Sequence, residues 1–175
     1  MAVTQKYTSA KTAINGMQGK LPTVFRKAEI PDGSLVLDYG GGKPEAEQIA
    51  QDYLKRFNAT EAIYDPFNQT EKHNKDVLSM CRLNGGADVA ICSNVLNVIK
   101  ELEVRIDVLK NIKDLIKSGG KVYITVYEGS GDGKGKVTQN NESYQNNRKT
   151  EDYLTEVRTV FPDATRRGKV IIANA

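Results

Sequence analysis

The chain contains no tryptophan, a single histidine (His73), two cysteines (Cys81 and Cys92) and five prolines in 175 residues. One histidine and two cysteines lacking ligand or redox spacing cannot build a metal centre or a dithiol pair, so no metal is expected. Cys92 lies inside an apolar run, where a thiol is a small buried hydrophobe. His73 sits in the polar run QTEKHNKD and reads as a solvent-facing residue. No apolar stretch approaches the roughly 20 residues needed to span a bilayer. The N-terminal MAVTQKYTSAKTAINGMQGK lacks the apolar core of a secretory leader, so the expectation is a cytoplasmic, reduced protein with no membrane partner. Acids are missing from the first 28 residues, which carry Lys6, Lys11, Lys20, Arg26 and Lys27. A second basic cluster is Arg166, Arg167 and Lys169, yet the net charge is only +3, too small by itself to assert a nucleic-acid partner.

What is present is alternation. LVLDY (35–39) is a short apolar run closed by Gly40 and reads as a buried strand. Residues 44–57 put Ala46, Ile49, Ala50, Tyr53, Leu54 and Phe57 on one helical face, with Pro44 in the first turn, where its missing N–H costs nothing. EAIYDPF (61–67) is a second strand stopped at Pro66, 71–83 a helix, and ADVAICSNV (87–95) another buried strand. A helix over 101–117 carries the stripe Leu102, Ile106, Leu109, Ile112 and Ile116 and ends at Gly119-Gly120. KVYITVYE (121–128) is the next strand, 129–149 a polar glycine-rich loop, 150–160 a helix, and DATRRGKVIIANA an antiparallel pair turning at Gly168-Lys169. The expectation is one domain over 1–175, an α/β doubly wound, Rossmann-like, mostly parallel sheet with a reversed C-terminal strand. Within it, 1–34 is a candidate lid, 35–128 the ligand-binding core and 129–149 a loop over the site.

In such a sheet ligands bind beyond the carboxyl ends of the strands. DYGGGK supplies a glycine turn between strand and helix there, and Asp65 ends the next strand. That setting suits a nucleoside-type ligand, whose ribose hydroxyls a carboxylate can accept. Asp38 before the turn and Glu45 and Glu47 after it repel a pyrophosphate. They suit a ligand with an ammonium and a sulfonium, so S-adenosylmethionine is favoured over a dinucleotide.

Asp38, Gly40 and Gly42, then Asp65, then ADVAICSNVLNVI and LIKSGGKVYITVYE, resemble the class I S-adenosylmethionine-dependent methyltransferases over residues 34–128. The resemblance implies S-adenosylmethionine as cofactor, bound by Asp38, Tyr39, Gly40, Gly41, Gly42, Asp65, Pro66 and Asn94. SNVLNVI together with YITVYEG also resembles a small group of methyltransferase-like proteins of bacteriophages and related mobile elements. The chain departs from the family in two places: Pro44 replaces a third glycine, and no third strand with an adenine-binding acid is evident, Asp76 being helical.

Methyl transfer needs an aligned acceptor and excluded water more than acid–base chemistry, so no single catalytic residue can be named. The familiar Asp-Pro-Pro-Tyr and Asn-Pro-Pro-Tyr sequences and a Pro-Cys nucleophile are absent, which disfavours exocyclic amines of adenine and cytosine and the carbon-5 route. Candidate acceptor-binding residues are Asn97, Tyr127, Tyr144 and Arg148, with nucleic acid or a small molecule as acceptor. Asn94 and Asn97 equally suit helix capping. Other readings stay open: a non-catalytic binding module for nucleic acid or protein, a nicotinamide oxidoreductase, or an enzyme that cleaves S-adenosylmethionine itself.

Overall fold

A computed structural model describes residues 3–10, 20–138 and 141–175, without the side chains of Glu45, Ala46 and Glu47. Five helices and eight strands lie among the described residues: α1 (Thr23–Lys27), β1 (Leu35–Tyr39), α2 (Pro44–Leu54), β2 (Thr60–Tyr64), α3 (Glu71–Leu83), β3 (Ala87–Ser93), α4 (Leu102–Leu115), β4 (Ile116–Thr125), β5 (Lys136–Thr138), β6 (Ser143–Gln145), α5 (Leu154–Val160), β7 (Thr165–Arg167) and β8 (Val170–Asn174). Six strands form one sheet in the order β2-β1-β3-β4-β8-β7. β2, β1, β3 and β4 are parallel, whereas β8 runs antiparallel to β4 and β7 to β8. The expected reversed last strand is therefore present, and its hairpin turns at Gly168, whose φ of 59° suits glycine.

Strand side chains alternate between two apolar layers, as the two-residue period of a strand requires. Leu37, Ala90, Cys92, Ile124 and Ile171 face α3, α4 and α5. Val36, Val89, Ile91, Tyr123 and Val170 face α1 and α2. Burial pushes the thiols of Cys81 and Cys92 up, so both are packing groups. Under the first layer the Arg105 guanidinium grips Glu156 through Nε and Nη2 at 2.8 and 2.9 Å and donates to the carbonyls of Ile99 and Lys100. Burial alone raises the Glu156 pKa, but hydrogen bonds from Arg105 and Arg148 hold it below the usual range.

β2 is an edge: no strand lies outside it among the described residues. Side chains do that strand's work. The Gln51 amide spans the Ala59 carbonyl (3.1 Å) and the Glu61 N–H (2.9 Å). His73 Nε2–H donates to the Ile63 carbonyl at 2.8 Å, and the Asn74 amide pairs with both the N–H (3.0 Å) and the carbonyl (2.9 Å) of Asp65. An unpaired buried backbone group is costly and an open edge invites aggregation, so these side chains substitute for a ladder. His73 is thus half-buried and anchored, not solvent-facing as its polar surroundings suggested.

The 129–149 stretch is also more ordered than composition suggested. β5 and β6 pair as an antiparallel hairpin, with residues 139 and 140 outside the described set. The hairpin docks on the turn after β3: Asn146 Nδ2 donates to the carbonyls of Leu96, Asn97 and Ile99. Of the N-terminal segment, residues 3–10 lie against this hairpin, where Thr8 N–H donates to the Glu142 carbonyl and Tyr7 stacks on Tyr144 at 5.5 Å.

Candidate functional site

Three buried acids gather about β1 and β2: Asp38 and Asp65 near the carboxyl ends of the strands, and Glu61 near the start of β2, opposite Val36. Asp38 points down from β1 toward α2, and Glu61 on β2 hydrogen-bonds to it from the same face. Asp65 follows β2. All three are at most 5% exposed. Burial raises Asp38 to about 7; the hydrogen bond with Glu61 partly opposes this and the negative field of Asp65 adds to it. A carboxyl group buried this way carries its charge only at a cost, and a cation placed nearby removes that cost.

The glycine turn sits directly above. Gly40 and Gly42 have φ of 78° and 92°, a region that non-glycine residues enter only with strain. A Cβ on Gly40 would lie 2.4 Å from Cγ2 of Val95, and one on Gly41 would lie 2.7 Å from the Asp38 carboxyl group. The turn is therefore locked between β3's exit and the buried acid. The Cβ position of Gly42 meets nothing within 4 Å, so this is where another molecule can approach the backbone.

Asp65 is heavily engaged within the protein. Its Oδ2 accepts from Gly42 N–H (3.0 Å) and Asn68 Nδ2 (3.1 Å), and Oδ1 accepts from Phe67 N–H (2.9 Å) and Asn68 N–H (3.0 Å). Gln69 Nε2 donates to the Gly42 carbonyl at 3.0 Å. The loop after β2 thus clasps the glycine turn, a contact that sequence alone did not disclose. Pro66 is exposed at the start of this loop.

The other residues singled out from sequence divide. Tyr39 offers the turn only its backbone: its ring is buried against Tyr64, its hydroxyl accepts from Asn111, and burial raises its pKa. Asn94 is exposed in the left-handed region (φ 58°), with its N–H bonded to the Thr125 carbonyl, so it lies at the carboxyl edge without capping a helix through its side chain. Asn97 is 2% exposed and donates to Gln145 Oε1 at 3.0 Å, joining the β3 turn to the hairpin. Gln145 Nε2 in turn donates to the Tyr127 carbonyl at 2.8 Å. Tyr127 itself is 63% exposed. Tyr144 is half-buried beside Tyr7, with Lys100 Nζ 5.8 Å from its ring centre. Arg148 is committed elsewhere: it pairs with Glu156 at 2.5 Å, bonds the Asp152 carbonyl and stacks over Tyr153, which leaves it no role as a free anion clamp. Gln69, Gln145 and Asn146 are the connectors that sequence reasoning missed, because an amide's partner is set by the fold and not by its neighbours.

An open groove of about 650 Å³ flanks this edge, lined by the end of β4, the 129–135 loop and the hairpin. Among the described residues no group of three or more potential ligands could hold a metal ion, and no helix is long and apolar enough to cross a membrane.

Locked glycines over a buried acid, at the carboxyl edge of a sheet with a reversed last strand, define a nucleoside-ligand domain of the methyltransferase type. A methyltransferase-domain family model matches residues 13–163, and the chain belongs to that family, whose methyl donor is S-adenosylmethionine. Among solved structures it is similar to the 1,6-didemethyltoxoflavin-N1-methyltransferase of Burkholderia thailandensis, crystallised with 1,6-didemethyltoxoflavin and S-adenosylhomocysteine (TM-score 0.56, 16% identity, covering 82% of this chain and 71% of that one). It is also similar to the pyocyanin biosynthetic protein PhzM (TM-score 0.54, 12% identity, covering 86% of this chain and 52% of that one). At such identities the likeness is one of fold. The chain spans only about half the length of the second relative. No curated protein matches the sequence.

Proposed function

We propose that the chain binds S-adenosylmethionine at the β1–α2 turn and transfers its methyl group to an acceptor held at the carboxyl edge. The observation that carries this reading is the buried Asp38–Glu61 pair beneath the glycine turn, with Asp65 beside it. Ionising these buried acids is costly: a phosphate beside them adds to that cost, whereas an ammonium or sulfonium removes it. Asp38 and Glu61 would supply that field, the Gly40–Gly42 backbone would accept close approach, and Asp65 would hold ribose hydroxyls. For the last role the hydroxyls must displace donors such as Asn68 Nδ2, which lowers affinity without removing the acceptor oxygens.

The bound cofactor supplies an electrophilic methyl group: the acceptor's lone pair forms the new bond to carbon as the bond to sulfur breaks, releasing S-adenosylhomocysteine and, from an N–H or O–H acceptor, a proton to water. The protein's own task is alignment and exclusion of water. The Burkholderia relative is named for N1-methylation of 1,6-didemethyltoxoflavin, with which it was crystallised, and this supports a small-molecule acceptor here over a polymer.

A second reading is favoured by one specific feature. The loop 65–69 already satisfies Asp65 and the Gly42 backbone, as a fold retained for binding without turnover would have it. Calorimetric titration with S-adenosylmethionine and S-adenosylhomocysteine separates the two. Binding in the micromolar range, about −8 kcal/mol, that is lost in Asp38→Asn and Asp65→Ala is expected. No binding of either compound by the intact protein sinks the enzymatic reading.

A further inference from the structure

The groove beyond β4 is not part of the glycine-turn site, but Gln145 ties it to the turn after β3, whose Val95 lies against Gly40, by bonding both Asn97 and the Tyr127 carbonyl. Its floor is braced. Gly133 N–H donates to the Asn147 carbonyl at 2.7 Å, Asn147 Nδ2 donates back to the Lys134 carbonyl at 2.9 Å, and Asn147 Oδ1 would lie 2.0 Å from a Cβ on Gly129. Gly129 and Gly133 have φ of 58° and 72°, so the loop's course depends on glycine. A wall laced this way is preorganised, which lowers the cost of ordering a ligand.

Two features of the lining say what fits. Tyr127, two residues past β4, presents a ring that is 63% exposed. Lys134 and Lys136 supply positive charge, and neither takes part in the ion pairs of the described residues. Asp132, the acid of the lining, is spent on the loop: its Oδ1 accepts from Lys134 N–H at 2.9 Å, and that bond and one from Ser130 hold its carboxyl below the usual range. The Asp132 charge also acts on Lys134, so Lys136 is the lining cation with no acid of the lining set against it. A volume of about 650 Å³ matches a drug-sized molecule.

We propose that this groove is the acceptor subsite, and that it takes a small planar aromatic molecule bearing one anionic group, with its ring on Tyr127 and its anion at Lys136. The assignment rests on the methyl-transfer reading above, because it is the carboxyl-edge position that makes the groove an acceptor site and not merely a binding site. It differs from a nucleic-acid track, which would need a continued basic surface and several stacking rings.

The test is equilibrium dialysis of 1-naphthoate against the full chain, with hexanoate and 1-naphthalenemethanol as probes lacking the ring or the charge. Naphthoate should bind tighter than either and lose about tenfold in affinity in Lys136→Ala, the usual effect of deleting one charged contact. Tyr127→Ala should weaken naphthoate and naphthalenemethanol alike, while Lys110→Ala on exposed α4 changes nothing. Saturating S-adenosylhomocysteine should leave naphthoate affinity unaltered, since the two occupy different places. Naphthoate binding no better than that of hexanoate, or unaffected by both groove substitutions, overturns the proposal. S-adenosylhomocysteine binding without naphthoate binding overturns the groove assignment and spares the cofactor reading. Naphthoate binding in a protein that ignores S-adenosylhomocysteine overturns the cofactor reading and with it the acceptor role, leaving the groove a binding site for aromatic anions.

Discussion

Replacing Asp38 with asparagine should make the ligand-free protein more stable at neutral and alkaline pH while it destroys cofactor binding. Burial raises the folded-state pKa of Asp38 from its ordinary 3.8 to about 7, the Glu61 hydrogen bond opposing and the Asp65 field reinforcing the change. Below pH 3.8 folded and unfolded chains both hold the proton, so the contribution of the group is fully present and does not vary with pH. Between there and pH 7 the folded chain keeps the proton that the unfolded chain sheds. Raising the pH therefore favours unfolding, and the stability contributed by the protonated form is lost as pH climbs to the folded pKa. At about 1.4 kcal/mol per pH unit, the loss between pH 5 and 8 is roughly 3 kcal/mol. Asparagine carries no such proton. Urea unfolding of both proteins at pH 5 and pH 8 reads this contribution together with the coupling of Asp38 to Glu61 and Asp65, since the titrating groups distant from Asp38 are common to the two and cancel in their difference. The variant's relative stability should rise by about that amount from pH 5 to pH 8, while its titration with S-adenosylmethionine shows no heat of binding. If the difference between the two proteins is the same at both pH values, Asp38 is not a buried, proton-holding acid and the charge argument for a cationic ligand falls with it.

Arg105→Ala leaves the buried Glu156 with Arg148 as its remaining cationic partner and removes donors from two carbonyls, so a loss of about 2–3 kcal/mol in chemical denaturation is expected. A loss below 1 kcal/mol would mean the pair is solvated. Gly40→Ala places a methyl group against Val95 at positive φ and should cost about 1–3 kcal/mol by thermal unfolding; adding Val95→Ala should recover only part, since the backbone strain stays. Asn74→Ala leaves the N–H and carbonyl of Asp65 without their side-chain partner and should cost about 1–3 kcal/mol, with concentration-dependent association seen by light scattering as β2's edge opens.

The parts of the fold that sequence discloses are those governed by periodicity and backbone stereochemistry. α3 occupies the expected 71–83, and the C-terminal pair turns at the expected Gly168-Lys169, because a capping Thr70 and a glycine at positive φ are local causes. α2 ends at Leu54 and passes into a 3-10 turn over Lys55–Phe57, so its apolar stripe ran slightly past the true helix. The helix expected over 150–160 likewise begins as a 3-10 turn, Thr150–Tyr153. The β5–β6 hairpin escaped notice because its strands are three residues long and polar, and it is fixed by Asn146 reaching carbonyls about 50 positions away in the chain. α1 was equally hidden: five residues give no period, and only Val24 and Phe25 packing under the sheet hold it.

The candidate site divides along the same line. Asp38, Gly40, Gly42 and Asp65 are legible because charge sign and glycine stereochemistry act wherever the chain places them. What surrounds them is not, since Gln51, His73 and Asn74 at the β2 edge and Gln69 on the Gly42 carbonyl act through side-chain to backbone hydrogen bonds. Any polar side chain of suitable length could make such bonds, so the residue types announce nothing. These seals also bear on the ligand. By completing the edge of β2 they remove the structural need for a further strand outside it, and with that strand goes the acid the resemblance would have placed against adenine. If the proposed site binds the cofactor, recognition of the base falls to residues around the strand ends already described, the 65–69 loop and the Ser93–Val95 exit of β3. Substitutions there should alter discrimination between S-adenosylhomocysteine and its inosine analogue, whereas Asp76→Ala, on the exposed face of α3 and paired only with Lys72, should leave that ratio unchanged. A change in the ratio on replacing Asp76 would restore the missing acid to the site and refute the view that the sealed edge replaced it.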